Sequence, residues 1–118
     1  MRDTPLTRPP RFTKLDNSMA EIIVVTVPRE LEPLMPRFLA NRQKEIAKMQ
    51  ALLAQSDFDA LRLAGHTLKG VGGGYGFPAL SELGARLEDY AQAGDAQAIT
   101  AALGEYSQYL AQIEVRFE

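Results

Sequence analysis

Four successive stretches of this chain carry apolar residues at spacings of three and four, and each is bounded by residues that start or stop a helix. That period makes one face of each segment apolar, and such a face must be buried against another element. The first stretch, Leu34 to Gln55, places Met35, Phe38, Leu39, Ile46, Met49, Leu52 and Leu53 near one stripe. Pro33 and Pro36 fit only in its first turn, where a missing N–H leaves no bond unmade. Ser56 or Asp57 caps the second stretch, which carries Leu61, Ala64, Leu68 and Val71 on one side. Pro78 opens the third, with Leu80, Leu83, Leu87 and Tyr90, and Gly94 ends it. Asp95 caps the fourth, with Ile99, Leu103, Tyr106 and Leu110. Four amphipathic helices with short connections predict an all-α fold, an up-down antiparallel four-helix bundle.

The ends read differently. Residues 1–18 hold Pro5, Pro9 and Pro10 among scattered charges and show neither period, so they read as a flexible tail ahead of a single domain over 19–118. Residues 21–27 (EIIVVTV) are dense in β-branched side chains and closed by Pro28, and 113–118 (IEVRFE) alternates. An up-down bundle brings the start of its first helix and the end of its fourth to the same end. The two segments are therefore expected to meet there as a short terminal two-stranded β-ribbon, paired antiparallel. Its open edge could add a dimer contact, although the expectation for the chain is a monomer.

Composition narrows the chemistry. The 118 residues contain no cysteine and one histidine, which removes disulfides, thiolate chemistry and multi-histidine metal sites. Thirteen basic and fifteen acidic residues give a net charge of −2, without the basic face of a nucleic-acid binder. Residues 77–118 carry seven acidic groups against Arg86 and Arg116, an acidic surface. No apolar run approaches the ~20 residues that span a bilayer, and the N-terminus lacks the apolar stretch of a secretory signal. The expected location is the cytoplasm, with neither membrane nor nucleic acid as partner.

The single histidine, His66, falls on the solvent side of the second helix, opposite Leu61, Ala64, Leu68 and Val71. Asp59, Arg62, Leu63, Lys69, Gly70 and Gly73 share its face, all within about 60° on a helical wheel. Glycines there weaken the helix without serving a core, so their use is to leave room for close approach. An exposed imidazole, a cation three residues on and a cleared surface suit a phosphoryl group on the ring, because its transfer depends on positioning and electrostatics.

The run His66-Thr-Leu-Lys69-Gly70-Val-Gly-Gly73-Gly-Tyr-Gly76-Phe77 resembles the signature of histidine-containing phosphotransfer (HPt) domains, and the resemblance covers roughly residues 30–112. It implies a four-helix bundle whose histidine accepts phosphate from a receiver-domain aspartate and passes it to another. Carried over, His66 is the phospho-acceptor, phosphorylated through its Nε2, and Lys69 the phosphate-stabilising cation. Gly70 and Gly73 admit the receiver, Gly76 ends the helix, and Arg62 and Leu63 join the docking surface. The implied partners are response-regulator receiver domains, a hybrid histidine kinase, or both. The resemblance implies no autokinase activity and no cofactor or metal on this chain, the Mg²⁺ being supplied by the receiver. The chain is expected to work without a fused receiver or kinase. The run Gly72-Gly73-Gly74 exceeds the family pattern, which leads one to expect early fraying and a displaced Tyr75.

Other readings fit less well. The glycine run follows a helix rather than a strand, and Lys69 precedes the glycines, so neither nucleotide-binding fingerprint is met. Ser81 and Ser107 lie in helices without a nucleophile-elbow pattern. Glu82, Glu88 and Asp89 read as a solvated helix face, as does the Arg42, Lys44 and Lys48 cluster, which could also meet an acidic receiver. Tyr90, Tyr106 and Tyr109 read as packing. The alternative function is a non-catalytic receiver-binding or scaffold bundle.

Overall fold

The computed structural model describes residues 21–118; the tail assigned to 1–18 lies outside the described residues. A short strand β1 (Ile23–Val27) leads through a 3-10 segment (Arg29–Leu34) into four helices. These are α1 (Met35–Ala54), α2 (Phe58–Tyr75), α3 (Pro78–Ala93) and α4 (Ala96–Gln112), and strand β2 (Ile113–Phe117) follows directly. The helices contact one another in a ring, α1 on α2, α2 on α3, α3 on α4 and α4 on α1. The expected four-helix bundle with a terminal ribbon is the fold observed.

The punctuation works as its chemistry requires. Asp57 and Asp95 are N-caps whose carboxylates accept from Ala60 N at 3.2 Å and Ala98 N at 3.0 Å. Pro36 and Pro78 sit in first turns, while Pro33 belongs to the 3-10 segment. Gly76 and Gly94 end α2 and α3 in the left-handed region, with φ of 83° and 68°. The core gathers Phe38, Ile46 and Met49 from α1, Leu61 and Leu68 from α2, Leu80, Leu83 and Leu87 from α3, and Ile99, Leu103 and Tyr106 from α4. Tyr106 is fully buried and Tyr90 and Tyr109 partly so, as packing residues should be. The Tyr106 hydroxyl donates to Glu45 Oε1 at 2.7 Å, and burial, then this carboxylate, pushes its pKa far up. Arg86 grips Glu105 with two bonds of 2.9 Å, tying α3 to α4.

Three expectations are corrected. The ribbon forms, but its strands run parallel, Ile23 opposite Ile113 and Val27 opposite Phe117. An antiparallel pair needs each strand to continue the direction of its helix. β2 does follow α4 without a break, whereas the proline-flanked 3-10 segment intervenes between β1 and α1 and turns the chain. Secondly, α2 does not fray at its glycines. It runs through Tyr75, whose ring stacks on Phe38 at 4.5 Å while Phe77 stacks on the same ring at 5.1 Å. Gly72 is part of the reason, because a Cβ there would come 2.4 Å from Ser81 N, so only glycine lets α3 start this close. Thirdly, Arg42 is not on a solvated face. Its side chain is 12 % exposed, lies over the Phe38 ring at 5.1 Å and pairs with Glu45 at 3.6 Å.

Candidate functional site

The phase of α2 places His66 where the sequence puts it, with its side chain 60 % exposed. Leu61 and Leu68 are buried on the opposite side, and Ala64 and Val71 are half-buried. Arg62, Leu63, Lys69, Gly70 and Gly73 are exposed on the His66 face. Leu63 is among the few large apolar side chains left open, at 59 %. Beside it, a shallow groove between α1 and α2 is lined by Lys48, Met49, Leu52, Leu63, Ala64 and Thr67. A Cβ added at Gly70 or Gly73 would meet nothing within 4 Å, so the absence of side chains there serves no contact inside this chain.

Glu88 is the residue that sequence reasoning assigned to a solvated face and that the structure brings into the site. Its Oε2 lies 3.1 Å from His66 Nδ1 and its Oε1 3.4 Å from Lys69 Nζ, so one carboxylate joins the imidazole to the ammonium. Partial burial pushes the Glu88 carboxyl up. The His66 hydrogen bond and the Lys69 and His66 charges outweigh that effect, leaving the pKa below its ordinary value. A carboxylate can only accept, so the Nδ1 facing it carries a hydrogen, and in the neutral ring the lone pair then lies on Nε2.

Glycine builds this juxtaposition. Gly65 precedes His66, and a Cβ on it would come 2.6 Å from Glu88 N. A Cβ on Gly84, one turn before Glu88, would come 2.4 Å from Lys69 N and 2.7 Å from Gly65 O. The α2 and α3 backbones therefore touch at the level of His66, and the short glutamate reaches across. Ser81 Oγ adds a bond to Lys69 O at 2.9 Å. The available signal in sequence was Gly65 and Gly84 in helix interiors, where a glycine costs roughly 1 kcal/mol and needs a reason.

Among the described residues, no group of three or more His, Cys, Asp or Glu side chains could hold a metal ion. None of the described helices is long and apolar enough to cross a membrane. The arrangement offers an exposed imidazole with a fixed proton, an adjoining cation, and open space around both. A family model described as Hpt domain matches residues 34–115. Comparison with curated proteins and with solved structures returned no match.

Proposed function

The chain belongs to the Hpt domain family, whose members transfer phosphoryl groups in phosphorelays, and on that premise we propose that His66 is the phospho-acceptor. The observation that carries this reading is the bond from His66 Nδ1 to Glu88, which leaves Nε2 as the nucleophile on an exposed ring. Nε2 attacks the phosphorus of a receiver's aspartyl phosphate. The N–P bond forms as the P–O bond to the aspartate breaks, and the aspartate leaves as a carboxylate. The ring, still holding its Nδ1 hydrogen, becomes cationic, and the Glu88 carboxylate stabilises it. Lys69 offsets the charge of the phosphoryl oxygens. Return transfer to a second receiver reverses these steps. Mg²⁺ belongs to the receiver, and the partners are receiver domains of response regulators or of a hybrid histidine kinase. The cytoplasm, where such receivers work, is the location this reading proposes.

The test is incubation with a phosphorylated receiver domain and Mg²⁺, followed by the stability of any label transferred. Acid-labile, base-stable label supports a phosphohistidine carrier. No label from a broad panel of receivers, together with receiver binding, would favour a non-catalytic docking module instead.

Glu88→Ala frees both Nδ1 and Lys69, and initial transfer rates should fall on the order of tenfold to a hundredfold, as when an orienting partner of a functional imidazole is lost. An unchanged rate would remove Glu88 from the mechanism. Gly73→Gln tests close approach through Arg62, Leu63, Gly70 and Gly73. Its side chain meets nothing in this chain, and helix propensity should stabilise the fold by about 0.5–1 kcal/mol. Transfer should nevertheless drop by about tenfold or more, since lost docking of roughly 1.4 kcal/mol already gives that factor. Normal transfer by this variant would refute the docking role.

A further inference from the structure

Among the described residues the ribbon has two strands, and the edge of β2 away from β1 pairs with no other strand of those residues. Glu118 N donates to Val27 O at 3.2 Å, which sets the phase of β2. Backbone groups alternate in direction along a strand, so Glu114 and Arg116 turn their N–H and C=O toward β1, whereas Ile113, Val115 and Phe117 turn theirs outward. Two of the six outward groups are already engaged. Ile113 N–H is bonded to Tyr109 O at the end of α4, and Phe117 O accepts from Arg29 Nη2 at 3.4 Å. That leaves Ile113 C=O, Val115 N–H, Val115 C=O and Phe117 N–H facing the edge.

These four groups match one another. We infer that β2 pairs antiparallel with β2 of a second copy of this chain, about a two-fold axis at Val115. In that register Val115 exchanges both bonds with Val115 of the second copy, and each Phe117 N–H donates to the opposite Ile113 C=O. The two engaged groups, Ile113 N–H and Phe117 C=O, are the pair that would have faced each other across the same axis. The side chains agree with the backbone. Glu114 falls opposite Arg116 of the second copy, and Arg116 opposite Glu114, while Ile113 falls opposite Phe117. Within one chain Glu114 and Arg116 pair at 2.8 Å on the outward face, well exposed and able to re-pair across the axis. A parallel, in-register pairing would set glutamate on glutamate and arginine on arginine.

The half-buried Ile113, Val115 and Phe117 gain cover on the face toward the bundle. A two-stranded ribbon that is marginal alone becomes the half of a four-stranded sheet ordered β1-β2-β2-β1. The contact is isologous and closes on itself, so it yields a dimer and not a fibre. It uses neither His66, Lys69 nor Glu88, and stands independently of the phosphotransfer reading.

The test is the mass of the full chain by light scattering during gel filtration, over a range of micromolar concentrations. A species of twice the 13.0 kDa of one chain is expected. Glu114→Arg places like charges opposite each other twice per dimer and should raise the dissociation constant by about tenfold or more. Arg116→Glu alone should do the same, and the double exchange of both residues should restore dimerisation. Circular dichroism checks that each variant keeps its helices. A monomer at every concentration would overturn the inference, as would a dimer indifferent to both single exchanges.

Discussion

The His66→Gln variant is expected to accept no label while unfolding at the wild-type temperature. An amide nitrogen has no lone pair free to attack phosphorus, and this chain has no other imidazole to take over. The fold should not notice, because the ring is 60 % exposed and makes one hydrogen bond, to Glu88. Surface substitutions of this kind stay within about 0.5 kcal/mol, and Lys69 remains to pair with the Glu88 carboxylate. Incubation with a phosphorylated receiver, run beside thermal unfolding, separates the two effects. Label retained at the wild-type level would move the acceptor away from His66. Lost label together with a collapsed melting temperature would make the loss structural and remove the support for a chemical role.

Gly84→Ala should have the largest effect on stability for the smallest change in volume. Its one added carbon would lie 2.4 Å from Lys69 N and 2.7 Å from Gly65 O, both backbone atoms that no rotamer change can move aside. The helices must separate, and overpacking of that kind costs about 3 kcal/mol or more. Against it stands a gain of about 1 kcal/mol from replacing glycine in a helix. The balance of about 2 kcal/mol lowers the melting temperature by roughly 10 °C in a domain of this size. Transfer should fall as well, because the displacement carries Glu88 away from Nδ1. Gly70→Ala makes the contrast, since its carbon meets nothing and only the propensity gain remains. Equal stability of Gly84→Ala and wild type would mean that the α2 and α3 backbones do not touch there.

The four helices, their caps and the exposure of His66 were legible in sequence because each depends on local rules. An apolar period gives the buried face, an aspartate with free N–H groups after it gives the cap, and a left-handed glycine gives the end. Glu88 was not legible, since a glutamate 22 residues from His66 looks solvated until the distance between two helices is known. That distance was written in Gly65, Gly72 and Gly84, but a glycine in sequence does not say whether it clears space for a partner or for the chain itself. Gly65, Gly72 and Gly84 clear it for the chain itself, whereas a Cβ at Gly70 or Gly73 would meet nothing in this chain, although Gly72 and Gly73 are adjacent. The direction of the ribbon is hidden from the sequence for a similar reason. It turns on the short 3-10 segment, which has no periodic signature of its own. The placement of Arg42 is hidden from the sequence because an arginine's guanidinium lies over an aromatic ring as readily as it points to water.

The ribbon also orders the assembly of the molecule in time. Joining β1 to β2 closes nearly the whole described chain into one loop, with Arg29 bonded to Glu118 across 89 residues. The entropy of closing so long a loop must be met before any of its bonds repays it, whereas the α2–α3 hairpin forms from near neighbours. The hairpin that carries His66 and Glu88 is therefore favoured to form early, and the clasp between the two ends late. On unfolding the clasp is the first to open, so its amides should exchange with solvent well ahead of those beneath the histidine. A chain built in this order can lose and remake its terminal clasp without disturbing the site.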